Sequence, residues 1–126
     1  MSALPQTQLS PSDFRSRLLA VIARHQRGEF DDAIQGYGEL LNVQPRQFDA
    51  WRLLGAAYRA KADHAKAVEC FDRALEIRQD FAEVWALRGE SLAELGRIAD
   101  SADSLERALG LQPGNAAAWA DRKSVV

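Results

Sequence analysis

The chain has 126 residues, enough for one compact domain and little more. It is 47% hydrophobic and 27% charged, which excludes a disordered or fibrous chain, and 22 Ala and 15 Leu against 11 Val, Ile and Thr favour an all-α fold. A net charge of −2 supplies no strong positive field for nucleic acid or an anionic membrane, and the single cysteine, Cys70, excludes an internal disulfide and fits a reducing cytoplasm.

Residues 1–13 read as a leader that runs into the first helix. They carry no basic and apolar pattern of a signal peptide. The longest apolar run, Leu18 to Ala23, falls far short of the about 20 residues of a membrane span. Ser10-Pro11-Ser12-Asp13 offers a hydroxyl cap, a proline at the first helical position and an acid three residues on, so a helix A1 is expected over 11–26. Gly28 breaks it, and B1 follows over 29–42. Gly36 and Gly38 lie inside B1, each costing about 1 kcal/mol relative to alanine. Either B1 is locally soft or another backbone comes close there.

Pro45 follows B1, where it cannot extend the helix. A2 is expected over 48–60 and B2 over 63–77, with Ala62 as the break between them. A3 covers 82–95 and B3 98–110, broken at Gly96. Pro113 follows B3, and Asn115 can cap a last segment from 116 to about 123.

The tryptophans fall at 51, 85 and 119, with both gaps 34. Leu53 and Leu87, Gly55 and Gly89, and Ala65 and Ala99 repeat at the same step, and Arg73-Ala74-Leu75 recurs as Arg107-Ala108-Leu109. One step earlier the matches thin to Ala33, Tyr37 and Pro45. The expected organisation is a leader over 1–13, units over 14–47, 48–81 and 82–115, and a capping or truncated helix over 116–126. A single helical hairpin cannot bury both faces, whereas stacked hairpins can. Trp51, Leu54 and Tyr58 form one apolar face, Gly55 and Gly89 suit close helix approach, and Ala67 and Ala74 suit reception of a neighbouring helix.

Trp51-x2-Leu54-Gly55-x2-Tyr58, followed by Ala67, Phe71 and Ala74, resembles the tetratricopeptide repeat signature. Gln79 stands where that family has its late proline. The third unit keeps Trp85, Gly89, Ala108 and Pro113 but has Arg88, Leu92 and Leu105 at usual Leu or aromatic positions. The first unit has Arg17 and Arg24 at its two usual aromatic positions. The resemblance implies a right-handed superhelix of antiparallel helix pairs, with a concave groove, lined by the A helices, that holds a peptide or a partner helix.

On that reading the groove face carries Arg15, Leu18, Ile22, His25 and Gln26, then Asp49, Arg52, Ala56, Arg59 and Ala60, then Glu83, Ala86, Glu90, Ala93 and Glu94. It runs from apolar through basic to acidic. Arg52 and Arg59, seven apart, present planar forks suited to carboxylate or phosphate. The alternatives are a solvated face, or ion pairs with Asp49, Glu83 and Glu90. Glu90 and Glu94 are like charges at i, i+4, which suits a basic ligand or a solubilising surface. Some members of the family grip a chaperone's C-terminal carboxylate with Lys, Asn and Arg; the matching positions here are Leu18, Ile22, Leu53, Glu83 and Leu87, and none donates. Leu18 and Ile22 have a rival role under a cover of Leu4 or Leu9, or of a second copy of the chain.

His25 and His64 have no second Cys or His at ligand spacing, so no metal or cofactor is expected. His64 reads as packing within its own helix pair, and Cys70 as a buried hydrophobe beside Phe71. The function expected is a non-catalytic, cytoplasmic interaction module for a peptide or partner protein. Two other readings stay open: the N-terminal arm of a larger bacterial enzyme, such as a glycosyl- or sulfotransferase, and a scaffold that self-assembles into a homo-oligomer.

Overall fold

The computed structural model describes residues 9–111. Leu4, Pro113, the Asn115 cap, Trp119 and the expected last helix lie outside the described residues. Within them the secondary structure is six α-helices and no strand: α1 Pro11–Gln26, α2 Phe30–Val43, α3 Phe48–Ala60, α4 His64–Ile77, α5 Ala82–Glu94 and α6 Ile98–Leu111. The helix ends agree with the sequence reading to within a residue. None of these helices is long and apolar enough to cross a membrane.

Local chemistry sets the boundaries. Ser10 caps α1, its hydroxyl accepting from the Asp13 N–H at 3.1 Å, and Pro11 opens the first turn. Asp63 does the same for α4 through the Lys66 N–H at 3.3 Å. Each odd-to-even turn contains one left-handed residue: Gly28 and Gly96 at φ +83° and Ala62 at φ +63°. That conformation reverses the chain so the next N–H reaches back five residues, Glu29 to Arg24, Asp63 to Tyr58 and Arg97 to Leu92, at 2.9–3.0 Å. The same closure of orphan carbonyls thus ends α1, α3 and α5.

Each helix packs on its sequence neighbours; beyond that, α1 touches α3 and α3 touches α5, while the even helices do not touch one another. Odd helices close together and even helices spread apart bend the array, placing α1, α3 and α5 on its concave side. The second unit buries Leu54, Ala57, Ala67, Cys70, Phe71 and Ala74, the small residues admitting the aromatic ring. A methyl group on Gly55 would sit 2.5 Å from the Phe71 ring, and one on Gly89 would sit 2.8 Å from Leu105.

The first pair solves the same problem the other way round. The position matching Gly55 is Val21, and the hollow that receives it is Gly36 on α2, where an added methyl would meet Val21 at 2.7 Å. Close approach of α1 therefore accounts for Gly36. Gly38 has open space around it. Phe14 supplies the buried aromatic of α1, while Arg17 and Arg24 are exposed.

The third unit exchanges apolar packing for hydrogen bonds. Where the second has Ala57, Ala67 and Cys70, it buries Ser91, Ser101 and Ser104. Ser101 donates to the Gly89 carbonyl at 2.7 Å, Ser91 meets His64 Nδ1 at 3.3 Å, and Arg88, standing where Leu54 was, bonds Asp72 at 2.6 Å and also Ser104. Every one of these buried hydroxyls has a partner, as burial demands. His64 thus bridges α4 to α5 of the next unit instead of packing only within its own pair.

The tryptophans hold the links between units. Trp51 Nε1 donates to the Pro45 carbonyl and Trp85 Nε1 to the Gln79 carbonyl, both at 2.8 Å. The bond uses the backbone carbonyl, so Gln serves where the signature has Pro. Each indole also lies under an arginine 22 residues on, Arg73 at 5.8 Å and Arg107 at 5.1 Å.

Candidate peptide groove

The concave face is built on α1, α3 and α5. At its α1 end Pro11, Phe14, Arg15, Leu18 and Leu19, one face of the helix, meet Gln44, Gln47 and Asp49 around a cavity of about 440 Å³. Phe14 is buried at its floor and Leu18 is half-buried, whereas Leu19 is 57% exposed. Leu9 packs on the same core cluster as Leu18 and Ile22.

In the middle, the two arginines are engaged by the protein itself. Arg52 reaches Asp49 at 3.1 Å and Glu83 at 3.3 Å, and Arg59 pairs with Glu90. Both inter-helix rungs join residue i on α3 to residue i+31 on α5. Of the alternatives open in the sequence, ion pairing is the one found. Arg52 is thus shared between Asp49 and Glu83 while Glu90 takes Arg59, which leaves one carboxylate in excess along the strip, and Arg15 and Glu94 are the groove charges without an ion pair among the described residues. Arg59, His64, Glu90, Ala93 and Glu94 line a second cavity of about 450 Å³ at the α5 end.

His25 turns toward α2 and not into the groove. Its Nδ1 lies 2.9 Å from the Tyr37 hydroxyl, and its ring meets Phe30 and Tyr37 edge-on at 5.7 and 5.8 Å. Burial holds the imidazole below its ordinary value of 6.5 and pushes the Tyr37 phenol up to about 12. Both shifts favour the neutral forms, and the tautomer of the imidazole sets which of the two donates. Cys70 is buried in the core, and burial foremost, helped by Glu69 and Asp63, pushes its thiol up to about 12, so it stays an unreactive thiol. Among the described residues no group of three or more His, Cys, Asp or Glu could hold a metal ion.

Of the residues around the first cavity, sequence reading named Arg15, Leu18 and Asp49 as groove residues but not Pro11, Phe14, Leu19, Gln44 or Gln47. A signal was present for the helical members, since 11, 14, 15 and 18 share one face. Gln44 and Gln47 come from the α2–α3 link, whose path no periodicity reports.

The repeated helix pairs, the tryptophan-tied links and the concave face define a helical-repeat protein. Residues 23–61, 48–81 and 82–115 each match the tetratricopeptide repeat, and the chain belongs to that family. No curated protein matches the chain. Among solved structures it is similar to the Type III secretion translocator chaperone SycD of Yersinia enterocolitica, at 17% identity and TM-score 0.79, over 91% of this chain and 89% of that one. The first TPR of Spaghetti (RPAP3), bound to the HSP90 peptide SRMEEVD, gives 18% identity and TM-score 0.79 over 83% of each chain. The Sgt2 TPR domain of Aspergillus fumigatus gives 19% and 0.76, over 86% of this chain and 72% of that one. At these identities the likeness is one of fold.

Proposed function

We infer that this chain is a non-catalytic, cytoplasmic interaction module that holds a peptide or an extended segment of a partner protein along the face of α1, α3 and α5. The observation that carries this reading is the concave face itself, with a cavity at each end and an internally ion-paired strip between them. A groove whose middle charges are already paired offers shape and apolar area at low desolvation cost, which suits an extended chain better than a small charged metabolite. The structure named for Spaghetti holds a peptide, and a peptide-binding role is carried over here by likeness of fold alone. The carboxylate grip is not carried over, because Leu18, Ile22, Leu53, Glu83 and Leu87 have no side-chain donor to offer.

The test is affinity purification with the wild-type chain beside two surface variants. One reverses the exposed groove charges Arg15, Glu90 and Glu94; the other reverses the exposed Glu69, Glu76 and Glu106 on the even helices. Partners lost with the first and kept with the second are expected. Partners lost only with the second would place binding on the convex side.

A further inference from the structure

Inside the chain one kind of joint recurs, in which an even helix meets the odd helix of the next unit. At α4–α5, Phe71 and Leu75 share a cluster with Val84 and Leu87, Asp72 holds Arg88 at 2.6 Å, and His64 meets Ser91 at 3.3 Å. Both halves of this joint stand again at the two ends of the array, where no helix among the described residues packs on them. One period of 34 further on, the even half becomes Ile98, Leu105, Glu106 and Leu109 of α6. Ile98 is 64% and Leu105 36% exposed. Two periods back, the odd half becomes Ser16, Leu19, Ala20 and Ala23 of α1. Leu19 is 57% exposed, with Ser16 and Ala20 exposed beside it. Next to this face a hollow of about 320 Å³ opens between Ala20, Val21, Gly36, Leu40 and Val43. Arg17 stands on its rim, where the later units have Trp51 and Trp85. The two ends also differ in charge. α1 carries three arginines and one aspartate, and α6 three carboxylates and one arginine. The ion pairs of these helices run through Arg24 and Asp100, which leaves Arg17 and Glu106 without one among the described residues.

We propose that copies of this chain join head to tail, the open face of α6 on one copy seating against the open face of α1 on the next. The joint repeats that of α4 on α5. Ile98, the counterpart of His64, then covers Ala23 of the next copy, the counterpart of Ser91. Leu109, the counterpart of Leu75, comes beside the hollow. Glu106, the counterpart of Asp72, comes beside Ala20 of the next copy, with the Arg17 fork one turn away to receive its carboxylate. A single contact thus covers both unmet faces. The tail expected over 116–126 is a rival cover for α6, but it leaves Leu19 and the hollow bare. Because the two faces differ, the contact is heterologous, and each added copy leaves one face of each kind open. Assembly therefore runs past two copies. One helix face against one helix pair is a small interface, so association is weak and reversible. The concave faces of successive copies run on as one longer groove. This goes beyond the single-chain function and does not depend on it.

The experiment is sedimentation velocity of the full chain over a concentration series. The average mass is expected to rise with concentration past that of a dimer, and to fall when salt is added. Arg17→Glu and Glu106→Arg should each weaken association by about fivefold or more, since each sets like charges face to face. Mixed in equal amounts, the two variants should associate as the wild type does. Their two altered ends carry opposite charges, and their two unaltered ends are the natural pair. Leu19→Gln and Ile98→Ser should weaken association as well. Arg17 and Glu106 are both exposed, so neither charge variant threatens the fold, and circular dichroism of each checks this. A mass that stops at the dimer, a mixture that associates no better than its parts, or variants equal to the wild type overturn the head-to-tail joint. A chain that stays monomeric at every concentration overturns it too. If deletion of 112–126 then releases assembly, the tail is the cover of α6; if it does not, the cover is a different protein.

Discussion

Ala62 stands at φ +63°, in a turn whose two counterparts are glycine. A Cβ in the left-handed region crowds the following carbonyl, and only part of the gain from removing it is offset by the freer unfolded chain. Ala62→Gly should therefore raise stability by about 0.5–1 kcal/mol, read as a higher urea midpoint at unchanged slope. A second single-residue effect sits at His25. Burial lowers its imidazole below 6.5, so between the two values the unfolded chain binds a proton that the folded chain refuses. Its contribution is complete above 6.5 and is lost as pH falls through the folded value. Thermal midpoints should drop from pH 7.5 toward pH 5, and His25→Gln, which keeps a partner for the Tyr37 hydroxyl, should flatten that drop; an equal drop in the variant would remove His25 as its source.

At the scale of helices, the two glycines of α2 separate cleanly. Gly38 has nothing near it, so Gly38→Ala should stabilise by about 1 kcal/mol through helix propensity alone. Gly36 receives Val21, so Gly36→Ala should destabilise by about 1–2 kcal/mol despite the same propensity gain. In a Val21→Ala background the sign should reverse, and equilibrium unfolding of the four variants measures both. From sequence alone these glycines were indistinguishable, because the first unit departs from the repeat where Val21 replaces the small residue of α1. The helices were legible, since Ser10, Gly28, Pro45 and Gly96 act locally and Trp51 and Trp85 mark the period. The Arg52–Glu83 and Arg59–Glu90 rungs were legible only as one alternative among several. They join helices 31 residues apart, and the distance between α3 and α5 depends on the pitch of the superhelix, which no local pattern encodes. The contact of His25 with Tyr37 and Phe30 was not legible for a related reason: α1 lacks the aromatic landmarks that orient α3.

Across the whole molecule, apolar packing declines from the second unit to the third. The buried residues of α6 are Ser101, Ser104 and Ala108, and its Ile98 and Leu105 are exposed, while α4 buries Val68, Phe71 and Leu75. Serines satisfied by His64, Arg88 and the Gly89 carbonyl add less than the apolar groups they replace. In a stacked array each unit leans on its neighbours, so the weaker unit should open first. Native-state hydrogen exchange should show the amides of α6 exchanging ahead of those of α3 and α4, with Cys70 alkylated only as fast as the core opens. Uniform protection from α3 to α6 would mean that the serine network matches the apolar core in strength.

The groove is the claim on which the function turns, and the most direct measurement is amide shift mapping of the isotope-labelled chain titrated with a partner segment recovered by the affinity purification. The account predicts that the largest shifts fall on Arg15, Leu18, Leu19 and Asp49 and continue along Arg52 and Arg59 on the concave face. Largest shifts on the outward residues of α2, α4 and α6, such as Glu39, Glu69 and Glu106, would contradict it.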